Sequence, residues 1–172
     1  MKITLSGKAG SGKSTVGKIL AEKLDFEFIS IGNWTREYAL KNHNMNINQF
    51  QEYCSLHPEV DQLIDINMSE SCNLKNNIII DYRLGFHFIK NSFNIYLNVS
   101  DAVAFNRINN ANRINEDITK DDIDKRNQEM CFRFIKTYGV DINNLKNYDL
   151  VINTDQLIPE QILNKIIVKL NN

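Results

Sequence analysis

Short apolar runs alternate with stretches of amphipathic periodicity from one end of the chain to the other. Five runs have the length and composition of β-strands: residues 2–6, 26–30, 77–81, 93–99 and 148–154. Between them, apolar residues recur at three- and four-residue spacing, as in Val16, Ile19, Leu20 and Leu24, which predicts helices. Alternating strands and helices predict an α/β fold with a five-stranded parallel sheet and helices on both faces.

The predicted helices fill the gaps between these strands. They cover residues 13–24, 33–42, 46–54, 58–72, 101–108 and 159–170. Ser100 and Asp101 can cap one of them, and Thr119 with Asp122 forms a capping-box pattern before another. Aromatic residues such as Phe50 lie at helical spacing and are predicted to belong to the core.

The composition is that of a single globular domain. The chain has 172 residues, 42% hydrophobic and 24% charged, and we expect one domain over residues 1–172. A net charge of −1 gives no global reason to expect nucleic acid or an anionic membrane as a partner. The first residues, MKITLSG, lack the apolar run expected of a signal peptide, no long apolar stretch follows, and the three cysteines form no C-x-x-C. We expect a cytoplasmic monomer.

The glycine-rich segment GKAGSGKST carries the strongest chemical signal. It matches G-x-x-x-x-G-K-[ST] in full and lies between a predicted strand and a predicted helix. Glycines let backbone N–H groups converge on a phosphate, and the helix start adds a positive dipole. We expect Lys13 to face the β- and γ-phosphates of ATP and Ser14 to offer its hydroxyl to Mg²⁺. The expected ATP contacts are Gly7, Lys8, Ala9, Gly10, Ser11, Gly12, Lys13, Ser14 and Thr15.

Asp81 ends the apolar run of residues 77–81. A strand that ends in an acid is typical of the second metal-binding position in proteins with such a phosphate loop. An ordinary cap at a strand end is the alternative interpretation. The sequence predicts Ser14 and Asp81 as the magnesium ligands.

A phosphate loop does not name a reaction, because GTPases, ATP-driven switches and small-molecule kinases share it. The chain lacks the N-K-x-D segment that reads guanine in GTPases. A nucleotide kinase and an ATP-binding switch without a phosphoryl acceptor therefore remain in competition. Clustered arginines favour the kinase, since a switch has no use for a second phosphate site.

Together these segments resemble the P-loop nucleoside monophosphate kinases, and most closely the archaeal-type cytidylate kinases. The resemblance covers almost the whole chain through ISIGNWTREYA, HPEVDQLID, IIIDYRLGF, RNQEMCFRFIKTYGVD and YDLVINT. The last two segments are the more specific, whereas the phosphate loop is generic. The resemblance implies an acceptor-binding helical region over about residues 31–74 and a lid over about residues 107–138.

The chain departs from the family pattern at several positions. Tyr82 stands where we expect glycine, and Asp81 stands where many members have glutamate. Trp34 lies in the first acceptor helix, and Asn127 and Gln128 replace acids between the two lid arginines.

The resemblance also implies ATP as phosphoryl donor, CMP or dCMP as acceptor, and Mg²⁺ as cofactor. An adenylate kinase or another small-molecule kinase on the same scaffold is the alternative. The acceptor site would contain Ser30, Gly32, Arg36, Asp61 and Arg83. Arg107 and Arg113 would contact ATP, while Lys13, Arg83, Arg126 and Arg133 would be the catalytic cations. Asp61 either reads an amino group of the acceptor base or simply caps its helix.

The segment DKRNQEMCFRF contains two arginines whose role its local pattern leaves open. Arg126 and Arg133 are seven residues apart and share one face of a helix. Asp122 and Glu129 each precede an arginine by four residues and could hold it as a surface ion pair. The phosphate loop favours the other interpretation, in which both guanidinium groups face an anion.

Overall fold

Five parallel strands form the sheet of the computed structural model, which describes residues 1–110 and 120–171 without the side chains at positions 120, 122, 123 and 126. The strands are β1 (Lys2–Ser6), β2 (Glu27–Ser30), β3 (Ile78–Asp81), β4 (Ser92–Asn98) and β5 (Leu150–Asn153). Their order is β2-β3-β1-β4-β5, and each neighbouring pair is parallel. The predicted five-stranded parallel sheet is confirmed.

The helices lie between the strands, close to their predicted positions. They are α1 (Lys13–Leu24), α2 (Ile31–His43), α3 (Ile47–Leu56), α4 (Pro58–Asn73), α5 (Gly85–Phe88), α6 (Asp101–Asn110), α7 (Lys120–Tyr138) and α8 (Pro159–Leu170). The sequence missed α5 and the 3-10 helix Leu145–Asn147, because a single turn is too short to show periodicity. Thr119 of the predicted capping box lies outside the described residues. No helix within the described part of the chain is long and apolar enough to cross a membrane.

Alternation along β3 divides the core between the two faces of the sheet. Ile79 packs in one cluster with Leu20 of α1 and Ile166 of α8. Ile78 and Ile80 belong to a second cluster that includes Phe134 of α7. Because successive side chains of a strand point to opposite faces, helices cover both sides of the sheet, as predicted.

A third, smaller cluster belongs to the helices α2, α3 and α4 alone. Its buried members are Ala39, Phe50, Cys54 and Ile64. Phe50 is therefore core, as its spacing predicts, and the partly buried Tyr38 and Tyr53 pack against the same cluster. The helical region between β2 and β3 thus has its own core beside the sheet.

Parallel strands direct their carboxyl ends to one edge of the sheet. Ser30 is paired in register with Asp81, and Leu5 with the same aspartate on the other side. The glycine-rich loop follows β1 in the middle of this edge. Ligands of open α/β sheets bind at this edge.

Candidate active site

The glycine-rich loop between β1 and α1 closes around the ammonium group of Lys13. Its glycines Gly7, Gly10 and Gly12 have positive φ angles of 135°, 77° and 90°. Lys13 Nζ donates hydrogen bonds to the carbonyl oxygens of Gly7 and Lys8, each at 2.8 Å. The lysine is only 9% exposed, so its charge is concentrated at the start of α1. This is the geometry that a phosphate-binding loop requires.

Helix α6 supports the loop from one side. A Cβ atom on Gly10 would lie 2.6 Å from the carbonyl oxygen of Ala104. Arg107 donates to the Gly10 carbonyl oxygen at 3.5 Å and to the Thr154 carbonyl oxygen at 2.5 Å. Lys8 pairs with Asp101 at the start of the same helix. Arg107 therefore lies beside the phosphate loop, and its contact with ATP stays a prediction.

Gly10→Ala should destabilise the fold more than Gly139→Ala does. Both glycines have positive φ, which costs about 1–2 kcal/mol for alanine. Gly139 has open space around it, with nothing within 4 Å of an added Cβ. At Gly10 the clash with Ala104 adds about 1–3 kcal/mol. Urea denaturation of the two variants measures the difference, and equal losses would show that α6 does not constrain the loop.

Ser14 and Asp81 meet at the start of α1. The Ser14 hydroxyl donates to Asp81 Oδ2 at 2.5 Å, and both side chains are partly buried. A hydroxyl and a carboxylate are the oxygen ligands that Mg²⁺ prefers, so these residues fit the ion. Among the described residues no group of three or more His, Cys, Asp or Glu side chains is arranged to hold a metal. Mg²⁺ usually takes its other ligands from water and substrate phosphates.

Three arginines approach one another at the carboxyl end of β3. Arg83 follows this strand, and its Nε atom is buried with no hydrogen-bond partner among the described residues. Burial lowers the pKa of the Arg83 guanidinium, and the positive charges of Arg36 and Arg133 lower it further, while Asp81 opposes the shift. A buried, unpartnered donor beside two further cations is an arrangement that an oxyanion would stabilise.

The start of α2 brings the other predicted acceptor residues to the same edge. Ser30 caps this helix by accepting a hydrogen bond from the backbone N–H of Asn33 at 3.4 Å. Arg36 donates to Asn33 Oδ1 at 3.0 Å from the next turn. Gly32 is exposed, and the position of an added Cβ would be 3.6 Å from the Arg36 guanidinium. The structure therefore brings Ser30, Gly32 and Arg36 together.

Arg133 of α7 pairs with Asp61 of α4. Arg133 Nε lies 3.0 Å from Asp61 Oδ2, and the two side chains are 19% and 16% exposed. The contact lacks the alignment of a hydrogen bond, so neither atom has a hydrogen-bond partner. Glu129 lies 3.9 Å from Lys125 instead of holding Arg133, so the surface pair considered from the sequence is not formed. Sequence reasoning missed the partner because the two residues lie on helices far apart in the chain.

Arg133→Ala should lower both turnover and stability. It leaves the partly buried Asp61 carboxylate without its cation, which costs about 2–4 kcal/mol of the free energy of unfolding. The double variant Asp61→Asn/Arg133→Gln removes both charges and should recover most of that stability without recovering turnover. Urea denaturation and ADP release report the two quantities. Recovery of turnover together with stability would make the ion pair purely structural.

Asp65, one turn after Asp61 on α4, accepts hydrogen bonds from two tyrosines. Tyr82 Oη donates to Oδ1 at 2.7 Å, and Tyr138 Oη donates to Oδ2 at 2.6 Å. Burial raises the pKa of Asp65 to about 6, although both tyrosine hydrogen bonds oppose the shift. No sequence motif predicts a functional role for Asp65. The only sequence signal near it is Tyr82, one of the residues that depart from the family pattern.

The raised pKa of Asp65 predicts a stability change with a definite sign. Between pH 3.8 and about 6 the folded state holds a proton at Asp65 that the unfolded state has released. Stability from this group is therefore present below about pH 4 and lost as the pH rises through 6, by up to about 3 kcal/mol. The unfolding free energy of wild type minus that of Asp65→Asn should fall over this interval in urea titrations. A constant or rising difference would contradict the assignment.

Two predicted arginines cannot be placed. Arg113 lies outside the described residues, and of Arg126 only the backbone, within α7, is described. Their assignment to ATP binding and to catalysis stays a prediction.

Comparison with known proteins identifies the family. A model of the cytidylate kinase-like family matches residues 2–156. The cytidylate kinase of Archaeoglobus fulgidus is 35% identical over 178 residues, covering 98% of this chain and 93% of that enzyme. A shikimate kinase from Bacteroides thetaiotaomicron shares the fold, with a TM-score of 0.68 at 20% identity over 100% of this chain and 99% of that one.

One relative has a different name and a greater length. An S-adenosylmethionine-dependent nucleotide dehydratase of Lacinutrix mariniflava is 54% identical over 166 residues, which are 96% of this chain. The chain spans 35% of the length of that protein. The name describes the whole of the longer protein, so it does not alter the family of the matching part. On the family model and the near full-length match to an archaeal enzyme, the chain belongs to the cytidylate kinase-like family of P-loop nucleotide kinases.

Proposed function

We propose that this protein transfers the γ-phosphoryl group of ATP to CMP or dCMP. The observation that carries the proposal is the convergence of Arg36, Arg83 and Arg133, with the Arg83 Nε atom buried and unpartnered. This group lies at the same sheet edge as the phosphate loop that holds Lys13. A second cationic site is what phosphoryl transfer to a nucleotide needs and what an ATP-binding switch does not.

The residues supply alignment and charge. The loop from Gly7 to Thr15 holds the donor phosphates, and Arg83 with Arg36 holds the acceptor phosphate. Lys13 and Arg133 neutralise charge on the transferring group, for which the protein needs little covalent chemistry. Mg²⁺, when bound at Ser14 and Asp81, supplies further neutralisation of the phosphate oxygens. Arginine suits the acceptor site because its planar guanidinium engages two phosphate oxygens at once.

Asp61 supports an acceptor base that carries an amino group. Burial raises the pKa of its carboxyl, while the neighbouring Arg133 lowers it. The Asp61 side chain is 16% exposed, so its carboxylate can accept a hydrogen bond from an exocyclic amine. Cytosine presents such an amine where uracil presents a carbonyl oxygen. Asp61 therefore favours CMP over UMP, and adenylate remains the competing acceptor.

An acceptor panel tests the proposal. ADP release from ATP is followed by a coupled assay with each NMP, each dNMP and no acceptor. We expect turnover with CMP and dCMP, and its loss in Asp61→Asn to exceed the loss with other acceptors. Preference for AMP would replace cytidylate by adenylate as the substrate. Acceptor-independent ADP release would replace the kinase by the ATP-driven switch.

A second candidate role follows from the nucleotide dehydratase relative. Its 54% identity to nearly the whole of this chain suggests that the kinase serves a nucleotide dehydration step. We infer that the phosphorylated product would then be the precursor of the dehydratase substrate. In a mixture with such a dehydratase from which the matching segment has been removed, S-adenosylmethionine, ATP and CMP, formation of dehydrated nucleotide should depend on this chain. Equal yield with a Lys13→Ala variant would reject this role and leave the kinase proposal intact.

The predicted cytoplasmic location and monomeric state stay predictions. Sedimentation of the purified protein would settle the second of them.

A further inference from the structure

Asp65 connects two elements that each carry a proposed phosphate-binding arginine. Its two carboxylate oxygens accept from Tyr82, at the end of β3, and from Tyr138, at the end of α7. The carboxylate is only 7% exposed, and nothing in the proposed chemistry uses it directly. A buried carboxylate is costly, so its retention between two tyrosines requires a reason.

The first connection leads to Arg83, the next residue after Tyr82. The backbone here is held from β1: Tyr82 N–H donates to the Leu5 carbonyl oxygen at 3.2 Å. Ser6 Oγ donates to the carbonyl oxygens of Tyr82 and Arg83 at 3.2 and 3.0 Å. The hydrogen bond from Tyr82 to Asp65 adds a hold from α4. The backbone position of Arg83 is thus fixed by contacts with β1 and, through Tyr82, with α4.

The second connection leads to Arg133, which precedes Tyr138 by five residues on α7. Asp61 and Asp65 are four residues apart on α4, so both carboxylates face α7 from adjacent turns. Asp61 pairs with Arg133, and Asp65 accepts from Tyr138. The Tyr138 ring also packs edge-on against Phe88 at 5.2 Å, which fixes its direction. The two contacts together hold α7 at one register along α4.

We propose that Asp65 is a positioning residue that sets the separation of Arg83 and Arg133, and hence the geometry of the acceptor phosphate site. The inference rests on the proposed kinase function. Tyr82 is essential to it, since its hydroxyl makes the hydrogen bond that connects the strand end to the helix α4.

Protonation of Asp65 would weaken this connection. An ionised carboxylate accepts from both tyrosines, whereas a protonated one has an O–H to donate and less capacity to accept. The groups that face it are Tyr82 just after β3, Arg133 and Tyr138 from α7, Asp61 from its own helix and Cys54 from α3. With its pKa near 6, Asp65 would change state just below neutral pH.

Three variants test the positioning role. Tyr82→Phe, Tyr138→Phe and Asp65→Asn should each lower kcat/KM for CMP by about tenfold, since a hydrogen bond to a charged group is at stake. The kcat/KM for ATP should change by less than about twofold at saturating CMP, because the phosphate loop is untouched. Ser69→Ala is the control, since it removes a hydroxyl hydrogen bond to the Ile66 carbonyl oxygen at 2.8 Å on the same helix and leaves both tyrosine hydrogen bonds of Asp65 in place.

Two further readouts distinguish positioning from general loss of structure. The double variant Tyr82→Phe/Tyr138→Phe should lose no more than Asp65→Asn does, because all three act through one carboxylate. The ratio of kcat/KM for CMP in wild type to that in Asp65→Asn should fall towards one as the pH falls through about 6, because only wild type carries the titrating carboxyl. The ratio cancels the ionisation of the CMP phosphate itself. Equal losses for CMP and ATP, or a ratio that does not change with pH, would overturn the inference.

Calorimetric binding of CMP separates this inference from the proposed function. We expect wild type to bind CMP and the three variants to bind it about tenfold more weakly. If wild type binds CMP but does not phosphorylate it, the kinase proposal is refuted, and the difference in CMP affinity between wild type and the variants still tests the positioning role. If wild type phosphorylates CMP and the variants bind and phosphorylate it equally well, the positioning role alone is refuted. No binding of CMP by wild type would overturn both.

Discussion

Lys13→Ala is expected to lower kcat for ADP formation about 10³-fold, the usual cost of losing one preorganised group that stabilises transferring charge. Lys13 is nearly buried and is held by the carbonyl oxygens of Gly7 and Lys8 at 2.8 Å. Its charge is therefore positioned before the substrate arrives, and no reorganisation is needed during the reaction. A coupled assay at saturating ATP and CMP measures the loss.

The control lies on the same helix. Lys18 is exposed on α1, one helical turn beyond the phosphate loop, and Lys18→Ala removes the same charge from the protein. We expect its turnover to stay within about twofold of wild type, because exposed charges are screened by solvent. Turnover like that of wild type in Lys13→Ala would reject the assignment of the loop to ATP phosphates.

Arg83→Ala is expected to lower kcat/KM for the nucleoside monophosphate by about 10²–10³-fold. The positive charges of Arg36 and Arg133 act on this guanidinium, whose Nε atom is buried and has no hydrogen-bond partner among the described residues. Arg83→Lys keeps the charge but loses the planar pair of donors, so it should recover part of the loss. Initial rates over a range of CMP concentrations, with ATP saturating, give the three values. Equal activity of all three proteins would remove Arg83 from the acceptor site.

Stability separates this effect from unfolding. Burial disfavours the charged form of Arg83, as its lowered pKa indicates, so the residue costs stability in the absence of an anion. We therefore expect Arg83→Ala to unfold at the same urea concentration as wild type or at a higher one. Residues that bind a ligand often lower the stability of the protein without the ligand. A strongly destabilised Arg83→Ala would point to a structural role instead.

The phosphate loop and the sheet were predictable because their signals are local. Nine consecutive residues encode the loop, and each strand is a short apolar run bounded by polar residues. The proximity of Ser14 and Asp81 also followed, since parallel strands bring their carboxyl ends to one edge. Their 2.5 Å contact agrees with that expectation. The single turn of α5 escaped prediction because it contains no repeat of the helical period.

The contacts of Asp61 and Asp65 could not be predicted from patterns of neighbouring residues. Arg133 had a helical partner available in Glu129, four residues away, yet it pairs with Asp61 on another helix. Asp65 and Tyr138 are separated by 73 residues, and neither has a motif of its own. Their low exposure strengthens these interactions relative to a surface ion pair, which water would weaken.

The fold class, the phosphate loop and the seven-residue spacing of Arg126 and Arg133 could be predicted from the amino-acid sequence. Only the folded chain shows which charges face one another across α4 and α7, and that Arg83 is buried within the fields of Arg36 and Arg133 without a hydrogen-bond partner for its Nε among the described residues. The two kinds of feature differ in the range over which the underlying interactions act. Backbone conformation and amphipathic burial act over neighbouring residues and leave a periodic trace in the sequence. Electrostatic contacts depend on distance and burial in the folded chain, and these are set only when separate helices pack.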